Sequence, residues 1–120
     1  MSKFRDIKIN VVTDAGGDFS EETAVGFGRL VAVEVNDIDL AATADITIAC
    51  TSSPGGIDRD LIVLTNVTAD AWHDVRGLGS NVAGASSSEY VHPFVAGAIT
   101  VTVAQGGNVL TGTVVLYIEE

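Results

Sequence analysis

Two histidines and a single cysteine are the side chains best suited to nucleophilic or metal chemistry in this chain of 120 residues. A nucleophile–base pair needs a thiol or hydroxyl beside an oriented imidazole. Cys50 closes the segment Asp45–Thr51 and is expected to pack as a small hydrophobe. His73 stands in Trp72-His73-Asp74 and His92 precedes Pro93, so both are expected in partly exposed loops. One cysteine and two histidines form no recognisable zinc spacing, and a lone cysteine excludes an internal disulfide framework. Carboxylates are more numerous. Asp14 and Asp18 bracket two glycines, while Asp37-Ile38-Asp39 and Asp58-Arg59-Asp60 each put two acids on one face of an extended segment. Calcium takes about six to eight oxygens, often from such loops. The spacing of an EF-hand is missing, however, and short aspartates in turns bond to their own backbone. Gly26-Phe27-Gly28-Arg29 and Ala83-Gly84-Ala85 lack the Lys-Ser/Thr of a phosphate loop. No catalytic residue, cofactor or metal is therefore expected, and the chain reads as a non-enzyme.

Charge narrows the partners. Six Lys and Arg stand against 16 Asp and Glu, a formal net charge of −10. A duplex or an anionic membrane would be repelled. Aromatic residues make up only 6%, too few for a base-stacking surface. No nucleic acid and no membrane are expected as partners. No apolar run approaches the roughly 18 residues of a spanning helix, and no charged-then-apolar leader opens the chain, so no secretory signal is expected. The basic residues are unevenly spread: Lys3, Arg5 and Lys8 fall in the first eight positions, and none follows Arg76. Residues 1–12 thus read either as a solvated edge strand, with lysine discouraging edge pairing, or as a basic arm that docks on an acidic neighbour.

The elements that must hold these residues are strands. There are 17 Val, 9 Ile and 11 Thr against 7 Leu, and stiff β-branched side chains favour a pleated surface over a helix. Gly16-Gly17, Gly55-Gly56 and Gly106-Gly107 punctuate apolar runs as turns. Ile7, Ile9 and Val11 alternate with polar residues; Leu30–Val35 divides into Leu30, Ala32 and Glu34 against Val31, Val33 and Val35, and Asp45–Thr51 into Ile46 and Ile48 against Thr47 and Ala49, so each reads as a strand. Ser20-Glu21-Glu22-Thr23 suggests a capped helical turn, and Asn36–Asp39 a turn. Leu61–Leu64 is a continuous apolar run, expected as a buried strand, with a short helical or extended piece under Trp72. Gly77–Ser88, rich in Ser and Gly, is expected as a mobile loop. Finally, Ile99, Val101 and Val103 are followed across Gln105–Asn108 by Val114, Leu116 and Ile118, the pattern of a C-terminal β-hairpin. The expected fold is one all-β domain over residues 1–120: an antiparallel β-sandwich, jelly-roll-like or immunoglobulin-like.

Leu61-Ile62-Val63-Leu64-Thr65-Asn66-Val67-Thr68-Ala69-Asp70-Ala71-Trp72, then Val101–Gly107 and Gly112–Glu119, resembles small structural proteins of tailed bacteriophages. The likeness covers roughly residues 30–120 and is to the cement, or decoration, proteins that coat a capsid. It implies a β-sandwich on the exterior of the virion, bound to the lattice of the major capsid protein without cofactor or catalysis. The composition points the same way: a positive mean hydropathy beside a large negative charge suits a subunit with broad surfaces for neighbours. A homo-oligomer, dimer or trimer, is expected. The basic residues Lys3, Arg5 and Lys8 and the aromatic Trp72 and Tyr90 are the candidate partner-binding positions. The alternatives are a head-tail connector or tail component, and a small carbohydrate- or calcium-binding module in which Trp72 and Tyr90 would stack on the ligand.

Overall fold

A computed structural model describes residues 3–51, 58–80 and 86–120, with the backbone alone for Asp58, 77–80 and 86–90. Among these residues nine strands follow in order: β1 (Phe4–Val12), β2 (Phe19–Asp39), β3 (Asp45–Thr51), β4 (Asp58–Leu64), β5 (Ala71–Asp74), β6 (Gly77–Ser80), β7 (Ser86–Val91), β8 (Phe94–Ala104) and β9 (Thr111–Glu119). Among the described residues there is no helix. All pairings are antiparallel. Seven strands make one open sheet in the order β1-β9-β2-β8-β3-β4, with β5 also paired to β2; β6 and β7 form a separate ribbon.

The 21-residue strand β2 decides the architecture. Its first half, Phe19–Arg29, pairs with β8, and its second half, Arg29–Asp39, pairs with β9 and β5. The strand climbs one layer, bends near Arg29 and descends the other. One layer is therefore β1-β9-β2-β5 and the facing layer β2-β8-β3-β4, joined through a shared strand. Glycine makes the bend possible. Gly26 and its cross-strand partner Gly97 both have positive φ, 82° and 100°, beside a register shift that bulges Val25. At Gly28 a Cβ would lie 2.8 Å from Ile118 Cγ2 and 2.9 Å from the carbonyl oxygen of Glu119, so a side chain has no room there.

Between the layers lies one core. Ile9, Val11, Leu30, Val33, Ile46, Ile48, Ile99, Val101, Leu116 and Ile118 are all buried in it, with Cys50 at its edge. Alternation placed these residues inward because a strand sends successive side chains to opposite faces. A two-layer fold buries the apolar set of each layer against the other.

Several local expectations are corrected. The C-terminal strands do not form a hairpin: β2 lies between β8 and β9, which face each other across the core. Ile99, Val101, Val103, Val114, Leu116 and Ile118 still share one buried interior. Ser20–Thr23 is strand, because pairing with β8 outweighs a single helical turn. Asn36–Asp39 stays within β2 as an irregularity, with Asp37 at φ 50°. The apolar run Leu61–Leu64 belongs to an edge strand, β4, where Val63 is exposed and Leu61 and Ile62 half-buried. Trp72 sits on β5, the extended one of the two alternatives, and His73 lies on the same strand, paired with Val33, instead of in a loop. Part of Gly77–Ser88 pairs as β6 and β7, while residues 81–85 and Ser52–Gly56 lie outside the described residues.

Candidate interaction surfaces

The bend of β2 gathers chain segments distant in sequence at one end of the sandwich. One cross-strand row there reads Phe4 on β1, Glu119 on β9, Arg29 on β2 and Phe94 on β8. Phe27, two residues before Arg29, shares its outward face. Phe4, Phe27 and Phe94 are 69%, 74% and 46% exposed. Three of the four phenylalanines therefore face solvent in one region, although burying each would stabilise the fold by about 1.5–3 kcal/mol. The rings of Phe27 and Phe94 are 6.2 Å apart, and the Arg29 guanidinium lies 5.9 Å from the centre of Phe94. Arg29 Nη1 donates to the His92 carbonyl at 2.9 Å, and Arg59 Nη2 donates to the Phe94 carbonyl. A shallow groove of about 420 Å³ runs beside them, lined by Arg29, Arg59, Leu61, Val91, Pro93 and Phe94 among others.

Charge is sorted along the same axis. Lys3, Arg5, Arg29, Arg59 and Arg76 all lie at this end, five of the six basic residues. The opposite end carries the loops with Asp14, Asp18, Asp37, Asp39, Asp45 and Asp70, and no Lys or Arg among the described residues. Three of those aspartates, Asp14, Asp45 and Asp70, are engaged by backbone donors. Asp14 Oδ1 accepts from the N–H of Gly16 and Asp18 at 2.9 and 3.0 Å; Asp45 accepts from Asn66 and Asp70 from Ile38, both at 3.1 Å. They tie loops together, as turn aspartates do. Among the described residues no group of three or more His, Cys, Asp or Glu could hold a metal ion.

The basic N-terminal residues occupy different settings. Arg5 is committed within the chain: Nη2 donates to the Val25 carbonyl at 2.9 Å, and Nε lies 3.0 Å from Glu120 Oε1 as an ion pair without hydrogen-bond alignment. It thereby ties the edge of β1 to the facing layer. Lys3 is exposed beside Glu120, whose N–H donates to its carbonyl. Lys8 is exposed midway along β1, away from the other five.

Trp72 heads a second surface, the outer face of the β1-β9-β2-β5 layer. It is 57% exposed, with its ring centre 4.8 Å from that of Tyr117 at an interplanar angle of 42°. Trp72 Nε1 donates to Asp74 Oδ1 at 3.3 Å, and the Tyr117 hydroxyl donates to Glu34 Oε1 at 3.1 Å. Partial burial, then the bond to Glu34, then the charges of Glu34 and Asp6 raise the Tyr117 phenol above its ordinary pKa of 10.0. The partner of Trp72 is thus Tyr117. Tyr90 pairs with Leu78 in the β6–β7 ribbon, and its side chain lies outside the described part.

Cys50 Sγ is buried 3.7 Å from the Ala96 carbonyl, and His92 Nδ1 lies 2.8 Å from the Val75 carbonyl. Each is accounted for by its local backbone partner. Phe27, Phe94, Arg29, Tyr117 and Glu34 were not among the candidate positions. The signals that could have found the first two are a phenylalanine between two glycines and another directly after a proline, both poor places for a core residue. No protein-family model matches this chain, and no curated protein matches it in a sequence search.

Proposed function

We propose that this chain is a non-catalytic structural protein of a bacteriophage particle, a cement protein that binds the outside of the capsid shell through the end where β2 bends. The observation that carries this reading is the exposure of Phe4, Phe27 and Phe94 in one region beside Arg29 and Arg59. Interfaces draw their affinity from aromatic and arginine anchors, with charged residues around them steering encounter. A chain of net charge −10 that gathers five of its six cations at one end, interleaved there with Asp60, Glu119 and Glu120, makes that end the one best suited to meet an acidic partner surface. The resemblance of residues 30–120 to phage structural proteins supplies the shell as the partner. A homo-oligomer completed by contact with capsid subunits belongs to the same reading.

The test is co-sedimentation of the purified protein with capsids stripped of accessory proteins. Binding to intact shells, lost in Phe27→Ala/Phe94→Ala while the folded protein persists, is the expected result. Binding only to tails or connectors would reassign the protein to those parts of the particle, and binding to neither would refute the virion role.

A further inference from the structure

The outer face bearing Trp72 is separate from the end assigned to the shell, and its chemistry differs. Cross-strand registers place Asp6, Tyr117, Ala32 and Asp74 in one row and Lys8, Val115, Glu34 and Trp72 in the next. Two aromatic rings are thus flanked by three carboxylates and one lysine. Glu34 and Asp74 each use one oxygen to hold an aromatic donor, which fixes rings and charges relative to one another before any ligand arrives. Among the described residues no cation lies over either ring, and the cation–π pair they contain is Arg29 on Phe94, at the other surface.

We infer that the Trp72–Tyr117 platform binds an arginine side chain presented by a segment of a partner protein. A guanidinium stacks flat on an indole, and its edge offers paired N–H donors to carboxylates. Glu34 and Asp74 retain oxygens for that role, and Asp6 adds to the negative field that already raises the Tyr117 phenol. Charge complementarity favours a cation over an anion here. It also favours arginine over a neutral sugar, which would leave the three carboxylates with Lys8 as the one cation of their rows. The inference does not depend on the shell-binding reading, since it concerns another face and the isolated protein.

Trp72 is the only tryptophan, so its fluorescence reports on the site directly. The experiment titrates the full chain with hexa-arginine, hexalysine and a neutral glucose hexasaccharide, at low and high salt. A saturable Trp72 signal is expected with hexa-arginine, weaker with hexalysine and absent with the sugar. Affinity should fall about tenfold in Glu34→Gln/Asp74→Asn. It should stay within about twofold in Glu21→Gln/Glu22→Gln, which removes the same charge from exposed positions elsewhere on β2. In the unaltered protein, amide shifts in NMR should centre on Ala32–Glu34, Ala71–Asp74 and Val115–Tyr117. Equal weakening in both double variants, or shifts centred on the Asp14–Asp18 loop, would show diffuse attraction to an acidic protein and overturn the site. So would the absence of a saturable signal with both basic peptides, or saturation by the sugar.

Discussion

Tyr117 ties local chemistry to a measurable property of the fold. Its pKa is raised in the folded state, so between the unfolded value near 10.0 and the folded value the native protein holds a proton that the open chain releases. Stability is therefore full below pH 10 and declines as pH rises through the folded pKa. Thermal midpoints between pH 8 and pH 11 should fall more steeply for the parent than for Tyr117→Phe, which keeps the ring on Trp72 but has no phenol to ionise. Parallel curves would mean that Glu34 and Asp6 do not act on the hydroxyl as described. The sequence pointed to Trp72 as a candidate partner-binding position but not to its neighbours. Tyr117 and Glu34 lie 83 residues apart, and only the pairing of β9 with β2 brings them together. Arg5 was equally opaque: its basic type suggested a partner, whereas its contacts lie on Val25 and Glu120 of the same chain. Arg5→Gln should accordingly lower stability by about 1 kcal/mol, measured by urea unfolding, whereas Lys3→Gln/Lys8→Gln should leave it unchanged.

At the level of elements, alternation told which residues are buried but not which strands are neighbours. Val114, Leu116 and Ile118 face inward as their period-2 spacing requires. Leu116→Ala should cost about 2–5 kcal/mol by the loss of buried methyl groups and the cavity left behind; a smaller loss in urea unfolding would mean that the two layers close over the gap. The hairpin inference failed because a six-residue connection, 105–110, is long enough to cross from one layer to the other, and strand β2 takes the place between its arms. The bend of β2 was not legible: in the sequence Gly26 and Gly28 stand out as glycines without the Lys-Ser/Thr of a phosphate loop, and nothing in the pattern shows a strand changing layers at them. Gly28→Ala tests that role. The added Cβ would press on Ile118 and on the backbone of Glu119, so a loss of about 1–3 kcal/mol is expected, and no loss would mean that the bend relaxes freely. Leu61–Leu64 read as a buried strand because of its unbroken hydrophobicity; its place at the sheet edge leaves Val63 in solvent, a position that pattern alone does not distinguish.

The whole molecule is polar in the literal sense. Cations and exposed phenylalanines collect where β2 bends, and aspartates collect where the loops close the other end. Composition announced the net charge of −10; its division between two ends needed the topology, since Arg29, Arg59 and Arg76 are scattered along the chain. Such a distribution orients the protein as it approaches a charged surface. Hydrogen exchange of the protein free and bound to stripped capsids tests the central claim most directly, because it reads the contact surface without altering a residue. Protection on the shell should centre on Gly26–Arg29 and Val91–Phe94, with the Asp14–Asp18 and Gln105–Leu110 loops exchanging as in the free protein. Protection centred on those acidic loops, with Phe27 and Phe94 unchanged, would contradict the account.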